Sequence, residues 1–179
     1  PGPVVIDLPK DIQFADAPYV GPDGIAPRTY NPQLRGDTAA IREAVKMIAR
    51  AERPIFYGGG GIINSGPKAC KRFADFVRMT GYPCTLTLMG LGAFPGSDDQ
   101  FLGMLGMHGT YEANMTMHGC DVMIAVGSRF DDRITGRLDA FAPNAKIIHI
   151  DIDASSINKN VQVDLPIVGD VGTVMGQIA

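Results

Sequence analysis

The chain has 179 residues, 45% of them hydrophobic and 20% charged, which supplies a sizeable core and excludes a disordered, highly charged tail. A net charge of −3 gives no electrostatic reason to expect a nucleic-acid partner. Cys70, Cys84 and Cys120 have neither metal-ligand spacing nor an even-numbered disulfide framework, so a reducing cytoplasm is expected. No apolar run is long enough to span a bilayer.

In chain order, "PVVIDLP" (3–9) reads as a short strand closed by proline. Residues 10–36 are rich in Pro, Gly, Asp and Asn and read as a linker. A globular domain is expected over 37–179, opening at Asp37 as the N-cap of a helix with Ile41, Ala44, Val45, Ile48 and Ala49 on one face. "RPIFYGG" is a buried strand. Asn64 or Ser65 then caps a helix with Pro67 in its first turn, which runs to a glycine stop at Gly81. "PCTLTL" is the next strand, followed by a long glycine-rich loop and a short helix around Glu112 to His118. "DVMIAVG", "KIIHIDID" and "LPIVGD" are further strands, the last leading into a final helix. Strands separated by helix-length segments predict an α/β fold, a Rossmann-like open parallel sheet of about five core strands with helices on both faces. The chain starts without Met inside a strand pattern and stops inside a helical one, as expected of a segment taken from a longer polypeptide.

Ligands of such sheets collect beyond the carboxyl ends of the strands, and the unusual motifs fall there. The run Gly58 to Gly61 either lets the backbone approach a phosphate or makes a tight strand-to-helix turn. It does not satisfy the dinucleotide fingerprint. After Gly58 and Gly60 the third position is Ile63, and after Gly59 and Gly61 it is Asn64. A nicotinamide oxidoreductase therefore loses its main support.

Arg129 and Arg133 in "GSRFDDR" suit a pyrophosphate or another anion, with Asp131 and Asp132 orienting them; the plainer alternative is a surface ion-pair cluster. Asp151 and Asp153 after "KIIHI" suit a ribose or a helix cap. His108, flanked by glycines, is the histidine suited to a site, whereas His149 reads as a core or subunit-interface histidine and His118 as the end of a helix. No nucleophile with a base, no Walker loop and no metal set is assembled, so the residues describe a binder of a nucleotide-like cofactor rather than a catalyst.

Together "PGPVVIDLPKDIQ", "YGGGGIINS", "TLTLMGLGAFP", "MLGMHGTYEAN", "GSRFDDRITG" and "KIIHIDIDASSINKN" resemble the catalytic subunits of acetolactate synthases, collinearly and over essentially the whole chain. The resemblance implies the central domain of a thiamine-diphosphate enzyme, preceded over 1–36 by the tail of the pyrimidine-binding domain. It implies a parent that condenses two 2-ketoacids with loss of CO2 on the path to branched-chain amino acids. Thiamine diphosphate and Mg2+ would then be bound by the other domains, and FAD, without net redox work, by this one.

Matched position by position, Gly59, Gly60 and Gly61 fall near the ribityl–phosphate region. Thr87, Leu88, Met107 and His108 fall along the flavin, and Gly127, Ser128, Arg129, Asp131, Arg133 and Ile134 on the next turn. Asp151, Ile152, Gly169, Asp170 and Val171 fall toward the adenosine. Lys10, Met107, Asp132 and Arg133 match the substrate-access channel, where herbicides bind. Ser156 departs from the family, which often carries a glutamate there. The implied partners are the other two domains of the polypeptide, further copies of the parent and a small regulatory subunit, with no nucleic acid and no membrane. The segment alone is expected to be inactive. A flavin-free bracing domain of another thiamine-diphosphate enzyme remains the alternative.

Overall fold

The computed structural model describes residues 3–22 and 31–179. The chain divides into two compact units, Pro1–Asn31 and Pro32–Ala179. The linker reading over 23–30 lies outside the described residues.

In the first unit, residues 3–9 form no strand, and Val4, Val5, Ile6 and Leu8 are exposed. This corrects the expectation from their apolar pattern. A strand needs a hydrogen-bonded neighbour, and among the described residues none pairs with them. The short helix α1 (Lys10–Phe14) follows, within what reads as linker.

The second unit is built around a six-stranded, wholly parallel sheet in the order β3-β2-β1-β4-β5-β6. Its strands are β1 (Pro54–Gly58), β2 (Cys84–Leu86), β3 (Phe101–Met104), β4 (Val122–Val126), β5 (Lys146–Asp151) and β6 (Leu165–Val168). The expected α/β open sheet is thus present, with one strand more than predicted. β3 escapes a sequence reading because Gly103 sits at φ 91° within it, its residues are only half-buried, and its register against β2 shifts. No sustained apolar run marks it.

Asp37 caps α2 (Thr38–Arg50) by accepting from the Ala40 amide at 2.8 Å. Ile41, Ala44 and Ile48 are buried, but Val45 and Ala49 face outward, and Met47 packs against the core instead. The short α3 (Gly60–Asn64) leads to α4 (Pro67–Thr80), which has Pro67 in its first turn and ends at Gly81 in the left-handed region. Its N-cap is Gly66 rather than Asn64 or Ser65: Asn64 ends α3, and Ser65 caps the end of that helix while its hydroxyl donates to Asp170 at 2.8 Å. α5 (Tyr111–Gly119) precedes β4, α6 (Asp132–Thr135) follows it, and α7 (Val171–Ile178) closes the chain under an Asp170 cap.

Alternation along the strands divides the core. Phe56, Leu86, Ile124, Val126, Ile148 and Ile150 meet α2, α4 and α7 on one face. Ile55, Tyr57, Met123, Ala125 and Ile147 meet Met117 of α5 together with Phe130 and Phe141 on the other.

Candidate functional site

A parallel sheet sends every strand end to one edge, so the loops after β1 to β6 share a rim. The strand order reverses direction between β1 and β4, where such sheets open a crevice. Two concavities lie elsewhere. One of about 400 Å³ includes Arg50, Val122 and Lys146, and one of about 470 Å³ includes Pro54, Pro83 and Gly119. Both sit where strands begin, remote from the motifs.

At the end of β1 the glycines let two backbones touch. The Gly59 amide donates to Val126 and the Gly61 amide to Gly127, at 2.8 and 3.0 Å. A Cβ on Gly59 would stand 2.1 Å from the Gly127 carbonyl oxygen. The run therefore clasps β1 to β4 at the reversal point, and two of its amides are already engaged. Thr87 behaves similarly after β2. Its hydroxyl oxygen accepts from the Gly90 amide at 3.0 Å, which leaves Leu88 and Met89 projecting outward, each more than two-thirds exposed.

The turn after β4 is the chemically densest element. Gly127 takes φ 60°, Ser128 is buried, and Arg129 and Asp131 form an exposed 3.3 Å ion pair. Between them Phe130 is buried at φ 54°, a left-handed conformation unusual for a bulky residue. Asn160 donates to its carbonyl at 3.0 Å. Asp132 and Arg133 open the one-turn α6 with both side chains exposed, and among the described residues Arg133 makes no ion pair. Ile134 is half-buried behind them.

The glycine-flanked loop after β3 meets this turn directly. The Met107 amide donates to the Arg133 carbonyl at 3.0 Å, and Asn114 both accepts from the Gly106 amide and donates to its carbonyl, each at 3.1 Å. Met107 and His108 are exposed.

After β5, Asp151 accepts from the Asp153 amide at 2.9 Å through one carboxylate oxygen. Asp153 caps the following turn. Hydrogen bonds from Ser155, first its hydroxyl, hold its carboxyl below the usual range, and Ser156 also donates to it at 3.1 Å. Ile152 projects outward. After β6, Gly169 is packed against Val174, Val171 is buried, and Asp170 accepts from Ser65 and from the Thr173 amide and hydroxyl. Burial opposes ionisation of Asp170, but those hydrogen bonds outweigh it and keep its carboxyl below the usual range.

The rim thus brings together all the sequence-derived candidates of the second unit. Lys10 belongs to the first unit, where its ammonium stands 6.0 Å from the Phe14 ring centroid. Sequence reasoning missed Phe130 and Asn160, although a lone aromatic inside a charged run was the available signal. Among the described residues no cluster of metal-ligating side chains occurs, and no helix is long and apolar enough to cross a membrane.

Residues 41–178 match the family described as thiamine pyrophosphate enzyme, central domain. The chain is 51% identical over 177 residues to the acetolactate synthase large subunit of Buchnera aphidicola from Acyrthosiphon pisum, covering 98% of this chain and 31% of that one. It is 50% identical over 180 residues to the acetolactate synthase isozyme 3 large subunit of Escherichia coli K12, covering 99% and 31%. Against the Haemophilus influenzae large subunit the identity is 48% over 177 residues, covering 98% and 30%. The chain therefore spans under a third of the length of these relatives.

Proposed function

Since the chain belongs to the family of thiamine pyrophosphate enzyme central domains, we propose that it is the FAD-holding central domain of an acetolactate synthase large subunit. The parent would condense two 2-ketoacids with release of CO2 in branched-chain amino acid biosynthesis. Thiamine diphosphate and Mg2+ would be held by its other domains, and this segment would contribute no catalytic group. The proposed domain limits are 1–36 for the tail of the preceding domain with its linker, and 37–179 for the cofactor-holding domain.

The supporting observation is the contact of Met107 with Arg133, which joins the glycine-flanked loop and the charged turn at one rim, where the strand order reverses. The residues there fit an elongated, diphosphate-containing group. The glycines of the β1–β4 clasp carry no side chains, and among the described residues the buried Ser128 hydroxyl has no partner. Two exposed guanidiniums stand on the adjoining turn. When bound, FAD would supply a flat ring system and a diphosphate bridge without net electron transfer.

In this reading Arg129 and Arg133 neutralise the diphosphate, with Gly59, Gly60, Gly61, Gly127 and Ser128 beside it. Asp151 keeps one carboxylate oxygen for a ribose hydroxyl, since only the other accepts from Asp153. Thr87, Leu88, Met107 and His108 border the ring. Gly169, Asp170 and Val171 act through their backbone, because the Asp170 carboxylate is committed to its cap. Lys10, Met107, Asp132 and Arg133 would line the substrate channel and its inhibitor site. A cytoplasmic parent suits the three free cysteines. The relatives are named large subunits, which suits an oligomer with a small regulatory companion. Acid release of the cofactor from the intact parent should yield flavin; a flavin-free parent rejects the proposal.

The engagement of Thr87, Asp153 and Asp170 in local caps favours a second reading, in which the domain braces its neighbours without flavin. Replacing Arg129 and Arg133 together by alanine in a flavin-containing parent separates the two. Retained flavin supports bracing, and lost flavin supports the cofactor site.

A further inference from the structure

The charged turn is held from below by a side chain that the cofactor reading does not use. His149 lies in β5, wholly buried, in register with Ala125 of β4 and through it with Tyr57 of β1. Its Nε2 stands 2.7 Å from the Ser128 carbonyl oxygen. A carbonyl only accepts, so Nε2 carries the proton and His149 is the donor. Nδ1 is then a bare acceptor, and among the described residues it has no hydrogen-bond partner. The ring also meets Phe130 edge-on, with centroids 5.0 Å apart. Phe130 packs further on Tyr57 and Phe141 at 5.6 and 5.9 Å.

This arrangement needs a cause. A buried imidazole with an unpaired nitrogen is unfavourable unless its other nitrogen does something an apolar side chain would not. The Asp151 carboxylate is 3.8 Å from the same Nε2, too far for a hydrogen bond, so the ring does not serve that carboxylate. What it does serve is strained backbone: Phe130 occupies the left-handed region, which persists only where the surroundings enforce it.

We infer that His149 is the positioning residue of the charged turn. By donating Nε2–H to Ser128 and bracing the Phe130 ring, it fixes the kink that presents Arg129 and Asp131 at the rim. Its effect on the turn is independent of the ligand, whereas its effect on cofactor affinity rests on the FAD reading above.

The test uses two variants of the intact parent. His149→Gln keeps an amide donor close to the place of Nε2, and His149→Asn moves it close to the place of Nδ1. Both lose the ring. Trypsin cleavage after Arg129 and Arg133, identified by fragment mass on flavin-stripped protein, reads the turn itself. Flavin affinity reads the consequence. The Asn variant is expected to be cleaved about tenfold faster than the Gln variant and to bind flavin about tenfold more weakly, with Gln within about threefold of the native protein. Equal behaviour of the two variants overturns the positioning role. A native parent without flavin rejects the cofactor reading, while the cleavage comparison still decides the role of His149. If neither variant folds, the 15N spectrum of histidine-labelled native parent decides it: an Nε2–H tautomer supports the role and an Nδ1–H tautomer overturns it.

Discussion

The Met107 amide donates to the Arg133 carbonyl at 3.0 Å, so the loop after β3 and the turn after β4 are one assembly although two strands, β2 and β1, stand between them in the sheet. Gly106 makes the approach possible. At φ 99° it adopts a conformation unfavourable to other residues, and a Cβ there would stand 2.7 Å from the same Arg133 oxygen. Gly106→Ala is expected to destabilise the parent by about 1–3 kcal/mol and to lower its flavin content, measured by thermal melt and acid-released flavin.

The clasp of β1 on β4 gives a sharper contrast. Gly59→Ala would place a methyl against the Gly127 carbonyl with no room to relax, at about 3 kcal/mol or more, so that soluble yield should fall steeply. Gly119→Ala, at the end of α5 where an added Cβ would meet none of the described residues within 4 Å, should change stability by no more than about 0.5 kcal/mol. Equal effects of the two would contradict the close packing of Gly59.

Arg129 and Asp131 are well exposed, so their ion pair contributes at most about 1 kcal/mol. The double change Arg129→Ala with Arg133→Ala should therefore empty the parent of flavin while leaving the melting temperature of flavin-stripped protein nearly unaltered. A large fall in that flavin-free melting temperature would instead identify the arginines as architectural.

Acid should loosen two joints. Burial opposes ionisation of Asp121, but hydrogen bonds from the Glu52 and Arg53 amides outweigh it and lower its pKa, as those from Ser65 and Thr173 do for Asp170. A carboxyl with a folded pKa below its unfolded value binds more protons when unfolded. Its stabilisation is complete above the unfolded value, about 3.9, and is lost as pH falls through the lower folded value. Denaturant titrations between pH 6 and about 3 should show this loss, and Asp121→Asn should flatten it; an unchanged slope would show that Asp121 is not a source.

Thiol chemistry should be selective. Burial, then the nearby Asp121 charge, pushes the Cys120 thiol up to about 12, and burial followed by the Asp98 charge raises Cys84 as well. Both are buried, while Cys70 is half-exposed. Within this segment, native-state alkylation followed by mass mapping should mark Cys70 first. Equally fast labelling of Cys84 would show that the β1–β2 face opens readily.

The sequence disclosed the parallel α/β plan because β1, β4 and β5 are nearly continuous apolar runs, and Asp37, Gly81 and Asp170 are punctuation of known geometry. β3 stayed hidden because a half-buried edge strand with a left-handed glycine has no such run. Residues 3–9 misled for the converse reason: their pattern is strand-like, but pairing is a property of partners. At the rim the residue types were legible, but their commitments were not. Nothing local says that Asp170 is already claimed by Ser65, that Gly61 donates to Gly127, or that His149 reaches the turn rather than merely filling the core.

The pairing of Pro54–Gly58 with Val122–Val126 has the widest sequence separation of any in the sheet. Closing so large a loop is entropically the hardest step of assembling the sheet, and contacts of this kind slow folding. The strand order reverses on that same seam. A nascent chain thus completes its reversal point only when β1 and β4 zip together, and any molecule seated there would act as a latch across them.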